Sequence, residues 1–332
     1  MNRRLLLLIV PLTLVVACSS EPNAIAEIGL GGRLVYTQGS DGLWEIDLES
    51  GKSSQLWELT DGGLLSGVAV SPDGLNLAMS YAPLADSPIQ RADIYIANGD
   101  GTNRQPLLEH RGTFESYDHP AWSLDGNWIF FTRYDVLIDD NQGTAESVFN
   151  IERIPAAGGE AELVIEDAEQ MSFSADGSRM TYLHVDRETL QRTLMVANAD
   201  GTEPMVSLSD TAFLNLANPR LSPDGETVAF SASGELAIGA APVGSFWAQV
   251  FGIQAAYAHG LPWDYYSMPA KGGEIVRITS WDTDGAVLAW SPDGQHLALM
   301  HQGGLFITGA AEPTLLVESP DHGGIDWAKI TP

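Results

Sequence analysis

The sequence predicts an all-β protein, a six-bladed β-propeller of four-stranded antiparallel blades. Three observations carry the prediction. A hairpin motif built on Ser-Pro-Asp-Gly recurs along the chain. A third-strand pattern can be counted six times. The chain opens on a second strand that has no first, and closes on a first strand that has no second.

The motif comes first. Val68-Ala69-Val70-Ser71-Pro72-Asp73-Gly74 runs into Leu75-Asn76-Leu77-Ala78-Met79. Pro120-Ala121-Trp122-Ser123-Leu124-Asp125-Gly126 runs into Asn127-Trp128-Ile129-Phe130-Phe131. The unit returns at Ser174-Ala175-Asp176-Gly177, Ser222-Pro223-Asp224-Gly225 and Ser291-Pro292-Asp293-Gly294. Its aspartates are 52, 51, 48 and 69 residues apart, a period that belongs to a propeller or another array. Proline presets φ, aspartate bonds its own backbone and glycine accepts a positive φ, so each unit is a hairpin.

The third strands follow at 43–48, 93–97, 148–154, 193–197, 264–268 and 304–308. In the best-resolved repeat, the turn Asn98-Gly99-Asp100-Gly101 leads into a fourth strand from Gln105 to Leu108. One blade cannot bury both of its faces, so the blades must pack in a ring. Ile325-Asp326-Trp327 matches Leu288-Ala289-Trp290, and Arg33-Leu34-Val35-Tyr36-Thr37 reads as a second strand. The last strand is therefore expected to complete the first blade, which also removes exposed sheet edges.

Composition narrows the partners. Sixteen basic residues against 44 acidic ones leave a net charge of −28, which argues against nucleic acid and against a polybasic grip on lipid. The single cysteine excludes an internal disulfide and a cysteine-rich zinc site. Arg3 and Arg4 precede an apolar run from Leu5 to Val16, too short to span a bilayer and consistent with a secretory signal. The run ends Val15-Val16-Ala17-Cys18, which resembles the bacterial lipobox. That resemblance implies cleavage after residue 17, lipidation of Cys18, a tether over 18–31 and export to the cell envelope. Ser19 after the cysteine implies outer-membrane delivery in a Gram-negative cell.

The repeats resemble the WD40-like propeller repeat of the TolB family, also found in tricorn and prolyl oligopeptidases, over about residues 32 to 330. The resemblance speaks for the fold more than for function, because the matching residues are turn and core residues. The chain departs from these relatives. No counterpart of the N-terminal α/β domain of TolB is read in it, and no Gly-x-Ser-x-Gly nucleophile elbow occurs.

The candidate sites lie on one rim. The links between second and third strands are long at 81–92, 133–147 and 232–263, and short at 38–42 and 301–303. Loops on a rigid scaffold are where binding residues gather, although unconstrained drift also lengthens loops. Leu236 to Trp263 holds no Asp, Glu, Lys or Arg. Ser245 is placed to cap a helix running to about His259, with Phe246, Val250, Ile253 and Tyr257 on one face and Trp247 and Phe251 beside it. Such a surface fits a cap over the channel, a partner or ligand surface (with Trp263 at its end) or a membrane-dipping loop.

Asp118-His119, Asn218 and Asp321-His322 occupy links between blades and converge near the channel mouth. They are binding candidates, and His with Asp also suits a metal or proton transfer. Arg220 and Asp326 take the first-strand position that is Ala69, Ala121, Ser172 and Ala289 elsewhere. They read either as a direct or water-bridged pair in the channel, or with Arg220 holding a ligand carboxylate. Trp122, Trp290 and Trp327 read as inter-blade core. No cofactor is expected; Asp139-Asp140-Asn141 and Asp282-Thr283-Asp284-Gly285 are weak calcium candidates, and ordinary solvated turns are the simpler reading.

The expectation is a monomeric, lipid-anchored envelope protein. It serves as a non-catalytic binding or scaffold propeller for an envelope protein or small ligand. The alternative is an envelope lyase or hydrolase acting on a glycan or peptide through the rim histidines and carboxylates.

Overall fold

The computed structural model describes residues 30–84, 91–139, 144–209, 212–235, 261–283, 286–309, 312–318 and 323–328. Their strands form six antiparallel sheets of four. Blade 1 holds β1 (Arg33–Gln38), β2 (Gly42–Asp47), β3 (Lys52–Glu58) and the last strand, β24 (Ile325–Ala328). Blade 2 holds β4 (Leu64–Val70), β5 (Asn76–Ala82), β6 (Asp93–Asn98) and β7 (Gln105–Leu108). Blade 3 holds β8 (Ser116–Trp122), β9 (Trp128–Asp139), β10 (Thr144–Pro155) and β11 (Glu162–Glu166). Blade 4 holds β12 (Ala168–Phe173), β13 (Arg179–Val185), β14 (Arg192–Asn198) and β15 (Met205–Leu208). Blade 5 holds β16 (Phe213–Leu221), β17 (Thr227–Glu235), β18 (Trp263–Pro269) and β19 (Val276–Arg277). Blade 6 holds β20 (Val287–Trp290), β21 (Leu297–His301), β22 (Gly304–Ile307) and β23 (Thr314–Glu318).

The innermost strands β4, β8, β12, β16, β20 and β24 pack one against the next around the channel. Closure is as expected. β24 lies antiparallel to β1, with Leu34 opposite Trp327 and Tyr36 opposite Ile325. It touches β20 on one side and β4 on the other.

Burial follows position in the blade. Second strands are covered on both faces, so burial in β5 and β13 is nearly continuous rather than alternating. Fourth strands face water, so β3 and β11 alternate or turn polar. The apolar side chains sort into six clusters among the described residues, and each joins two neighbouring blades. Trp122 and Trp290 also tie blades by hydrogen bonds. Their indole N–H groups donate to the Ala69 carbonyl of blade 2 at 3.2 Å and the Arg220 carbonyl of blade 5 at 2.9 Å.

The recurring turn has one construction. The Ser71 hydroxyl donates to Asp73 Oδ1 at 2.6 Å, Leu75 N–H donates to the same oxygen at 3.0 Å, and Asn76 N–H donates to Ser71 Oγ at 2.9 Å. The bond between serine and aspartate repeats at Ser123–Asp125, Ser174–Asp176, Ser222–Asp224 and Ser291–Asp293. Turns also hold the blades in place. Arg33 in blade 1 donates to the carbonyls of Gly74 and Gly99 in blade 2, both at 2.8 Å, and Arg179 of blade 4 donates to Gly225 of blade 5 at 2.6 Å.

One element differs from the sequence reading. The link read over 133–147 is a continuation of two strands, with β9 and β10 paired from Trp128 opposite Pro155 out to Asp139 opposite Thr144. Arg133 would oppose extension as an unpaired inward charge. It meets Glu115 at 2.9 Å, Asp135 at 2.8 Å and Glu152 at 3.5 Å, so the ribbon grows past it. Leu137 and Ile138 stay exposed near its tip.

Candidate functional site at the channel mouth

The repeat brings one residue of five innermost strands, and the residue just before the sixth, to the same level of the channel. These are Gly67, His119, Gln170, Asn218, Val287 and Gly324, and all six line a cavity of about 420 Å³. A β-bulge interrupts four of these strands here, between Leu65 and Gly67, Asp118 and Ala121, Glu169 and Ser172, and Ala217 and Arg220. His119, Gln170 and Asn218 take left-handed backbone conformations, with φ of 54°, 55° and 51°. A bulge re-aims a side chain, and left-handed non-glycine residues gather at functional sites. On the opposite side Gly67 and Gly324 let two strands meet. A Cβ on Gly324 would stand 2.8 Å from the Gly67 Cα. The mouth is therefore polar over blades 3 to 5 and backbone-lined over blades 1 and 2.

Each polar side chain is held from behind. His119 Nδ1 lies 3.3 Å from the Tyr134 hydroxyl. Gln170 Oε1 accepts the Asn218 N–H at 2.6 Å, and Asn218 Nδ2 donates to the Ala286 carbonyl at 2.8 Å. Burial pushes the Tyr134 hydroxyl well above its ordinary pKa, with the Glu169 and Asp118 carboxylates adding to the effect. It stays protonated. His301 reaches the cavity from blade 6, opposite blade 3 in the ring. Its Nδ1 accepts the Gly303 N–H at 3.0 Å, its ring stacks on Phe306, and burial lowers its pKa.

Two rows further down the channel stand Arg220 and Asp326. Both line a second cavity of about 310 Å³, among Trp122, Phe173, Trp290 and Trp327, and Arg220 lines the first as well. Both lie deep in the ring yet face the channel, so each is half-buried rather than sealed. Burial lowers the Arg220 pKa, against the pull of Asp326. Burial raises that of Asp326, opposed by the Val70 N–H and by Arg220. They make no direct ion pair. Arg220 Nε donates to the Leu288 carbonyl at 3.2 Å. Asp326 accepts the N–H groups of Val70 at 2.8 Å and Trp327 at 2.9 Å.

The structure thus gathers His119, Asn218 and Arg220 at one cavity. Asp118 turns aside, its carboxylate 2.7 Å from the His119 N–H. Trp263 begins β18 and packs on the cluster of Ala229, Tyr265 and Leu288. Asp321 and His322 lie outside the described residues, as do Cys18, Phe246, Trp247, Phe251, Tyr257, His259 and the helix read over 245–259. Their neighbours Gly323 and Gly324 line the cavity. Asp282 lies 3.5 Å from Arg277, and Asp140, Asn141, Asp284 and Gly285 are outside the described residues. Among the described residues, no three His, Cys, Asp or Glu side chains are grouped to hold a metal ion.

Gln170 and His301 are lining side chains that the sequence reading did not single out. Gln170 stands six residues before Asp176, as His119 stands before Asp125 and Asn218 before Asp224, so the repeat register carries its signal. His301 ends β21 eight residues after Asp293, but the equivalent places in the other repeats hold Tyr81, Arg133, His184 and Ala232, so the register gives no common signal there.

No family model and no curated protein matches the sequence. Solved structures do resemble the fold. TolB from Acinetobacter baumannii is 18% identical with a TM-score of 0.57, the match covering 90% of this chain and 66% of that one. A puromycin-hydrolyzing peptidase of Mycobacterium tuberculosis is 13% identical over 92% of this chain and 49% of its own, with a TM-score of 0.47. An oligogalacturonate lyase from Vibrio parahaemolyticus is 19% identical over 57% and 51%, with a TM-score of 0.40. The last two carry no argument at those scores. This chain spans about two thirds of the Acinetobacter protein, and at this identity the likeness concerns fold alone. In fold, the chain is a six-bladed, TolB-like β-propeller whose ring its own final strand completes.

Proposed function

We propose that the protein is a non-catalytic binding propeller of the cell envelope, tethered by lipid on Cys18, that receives its partner at the channel mouth. One observation carries this reading. Three consecutive blades present His119, Gln170 and Asn218 to a single cavity, each held by a further hydrogen bond. Preorganised polar groups around a concave opening suit recognition, because little is left to order on binding. The resemblance to TolB favours another envelope protein as the partner. The second reading, an enzyme, draws on the approach of His119 and His301 to one cavity from opposite blades.

Crosslinked capture from membranes tests the binding reading. The intact chain, a variant carrying His119→Ala and Asn218→Ala, and a chain lacking 240–262 are compared. Loss of the partner in the double variant supports the reading; an unchanged set of partners removes it. Loss in the deletion alone moves the surface to the insertion.

A further inference from the structure

The hydrogen bonds already made at the mouth dictate which polar atoms are left to meet a ligand. Tyr134 has one hydroxyl proton, and the buried carboxylate of Glu169, which pairs with Arg192, competes with His119 for it. With that proton turned toward Glu169, neutral His119 donates from Nδ1–H to the Tyr134 oxygen and leaves Nε2 as an acceptor; with it turned toward His119, Nε2 carries the hydrogen. Gln170 has used its carbonyl oxygen on the Asn218 N–H, which leaves its NH₂ as a donor. Asn218 spends one of its two amide hydrogens on the Ala286 carbonyl, which leaves Oδ1 as an acceptor beside the second N–H. In the first of these arrangements the order around three neighbouring blades is acceptor, donor, acceptor. One edge of an extended peptide offers the complement: N–H, C=O, N–H.

Charge supplies the second half of the argument. Arg220 lines the same cavity and bonds the Leu288 carbonyl through Nε alone, with no carboxylate within 4.0 Å among the described residues. Both Asp326 oxygens are committed to backbone N–H groups, one of them across the blade interface at Val70. In a chain with 44 acidic residues against 16 basic ones, the described lining of this cavity has an arginine and no Asp or Glu. The free face of a guanidinium suits a carboxylate in a bidentate arrangement.

We propose that the channel mouth captures the C-terminal end of a peptide chain. The terminal carboxylate sits on Arg220, and the last backbone N–H and C=O groups sit on His119, Gln170 and Asn218. This rests on the binding reading and names the partner class of that same site.

Calorimetric titration of the whole protein with acetyl-trialanine, as the free acid and as the C-terminal amide, tests it. The acid binds, and the amide binds about tenfold more weakly or worse. Arg220→Gln abolishes the preference for the acid. Because loss of Arg220 also alters the channel packing, a second variant is needed. Gln170→Glu keeps the acceptor for the Asn218 N–H but turns the ligand-facing donor into an anion. It retains the wild-type melting temperature and loses about tenfold or more in affinity for the acid. Equal binding of acid and amide, no binding of either, or acetate competing as strongly as the peptide at equal concentration each overturns the proposal. The two readings separate cleanly. If the channel variant still loses its envelope partner while peptides show no acid preference, the C-terminus inference fails and the binding reading stands.

Discussion

Asp73, Asp125, Asp176, Asp224 and Asp293 are each held below the ordinary carboxylate range by the serine hydroxyl two residues earlier, then by backbone N–H bonds. Asp176 falls to about 2. The sign follows. In the unfolded chain these groups titrate near about 3.9, so the unfolded state takes up protons first as pH falls. Their contribution is complete above about pH 4 and disappears as pH drops toward the folded values. Asp176→Asn should therefore lower the urea midpoint at pH 7, by a margin that shrinks steadily as pH falls from about 4 toward 2. A constant difference across that range would refute the linkage.

A second residue runs against its own backbone. Leu190 is exposed with φ 57°, in a turn closed by its N–H to the Asp186 carbonyl at 2.7 Å. Leu190→Gly should raise stability by about 1 kcal/mol, the left-handed penalty less the extra freedom glycine has when unfolded. Thermal melting checks the direction. At this scale the sequence is partly legible. His119, Asn218 and Arg220 can be picked out as polar interruptions of a repeat. Gln170 sits in the same register but looks like an ordinary strand residue, and the bulge and positive φ add to the register what it shares with them.

Among the elements, the pairing of β24 with β1 closes the ring, and Gly32 passes so close to the Ala328 carbonyl that a Cβ there would clash. Removing 324–332 strips blade 1 of its inner strand and exposes the edge of β1. The truncated chain should lose its cooperative melt or aggregate, as light scattering during heating would show. An unaltered melting temperature would end the closure argument. The third strands and this closing strand were readable because turn chemistry repeats and the end residues match an internal motif. The long β9–β10 ribbon was not. Arg133 and Asp135 look like loop polars until Glu115 and Glu152 are brought beside them from elsewhere in the blade.

Over the whole molecule, six apolar seams oppose the self-repulsion of a chain carrying net charge −28. Raising ionic strength from about 0.01 M to about 0.15 M shortens the screening length from ~30 Å to ~8 Å. The melting temperature should rise over that interval. A fall would mean that ion pairs such as Arg153–Glu162 matter more than the surplus of acids. The seam between β1 and β24 has one more consequence. With its first and last strands side by side, this architecture has no intrinsic starting point. A circularly permuted gene, joined across that seam and reopened between Leu208 and Phe213, should encode the same molecule, whereas reopening it within the 128–155 ribbon would cut a wedge in two.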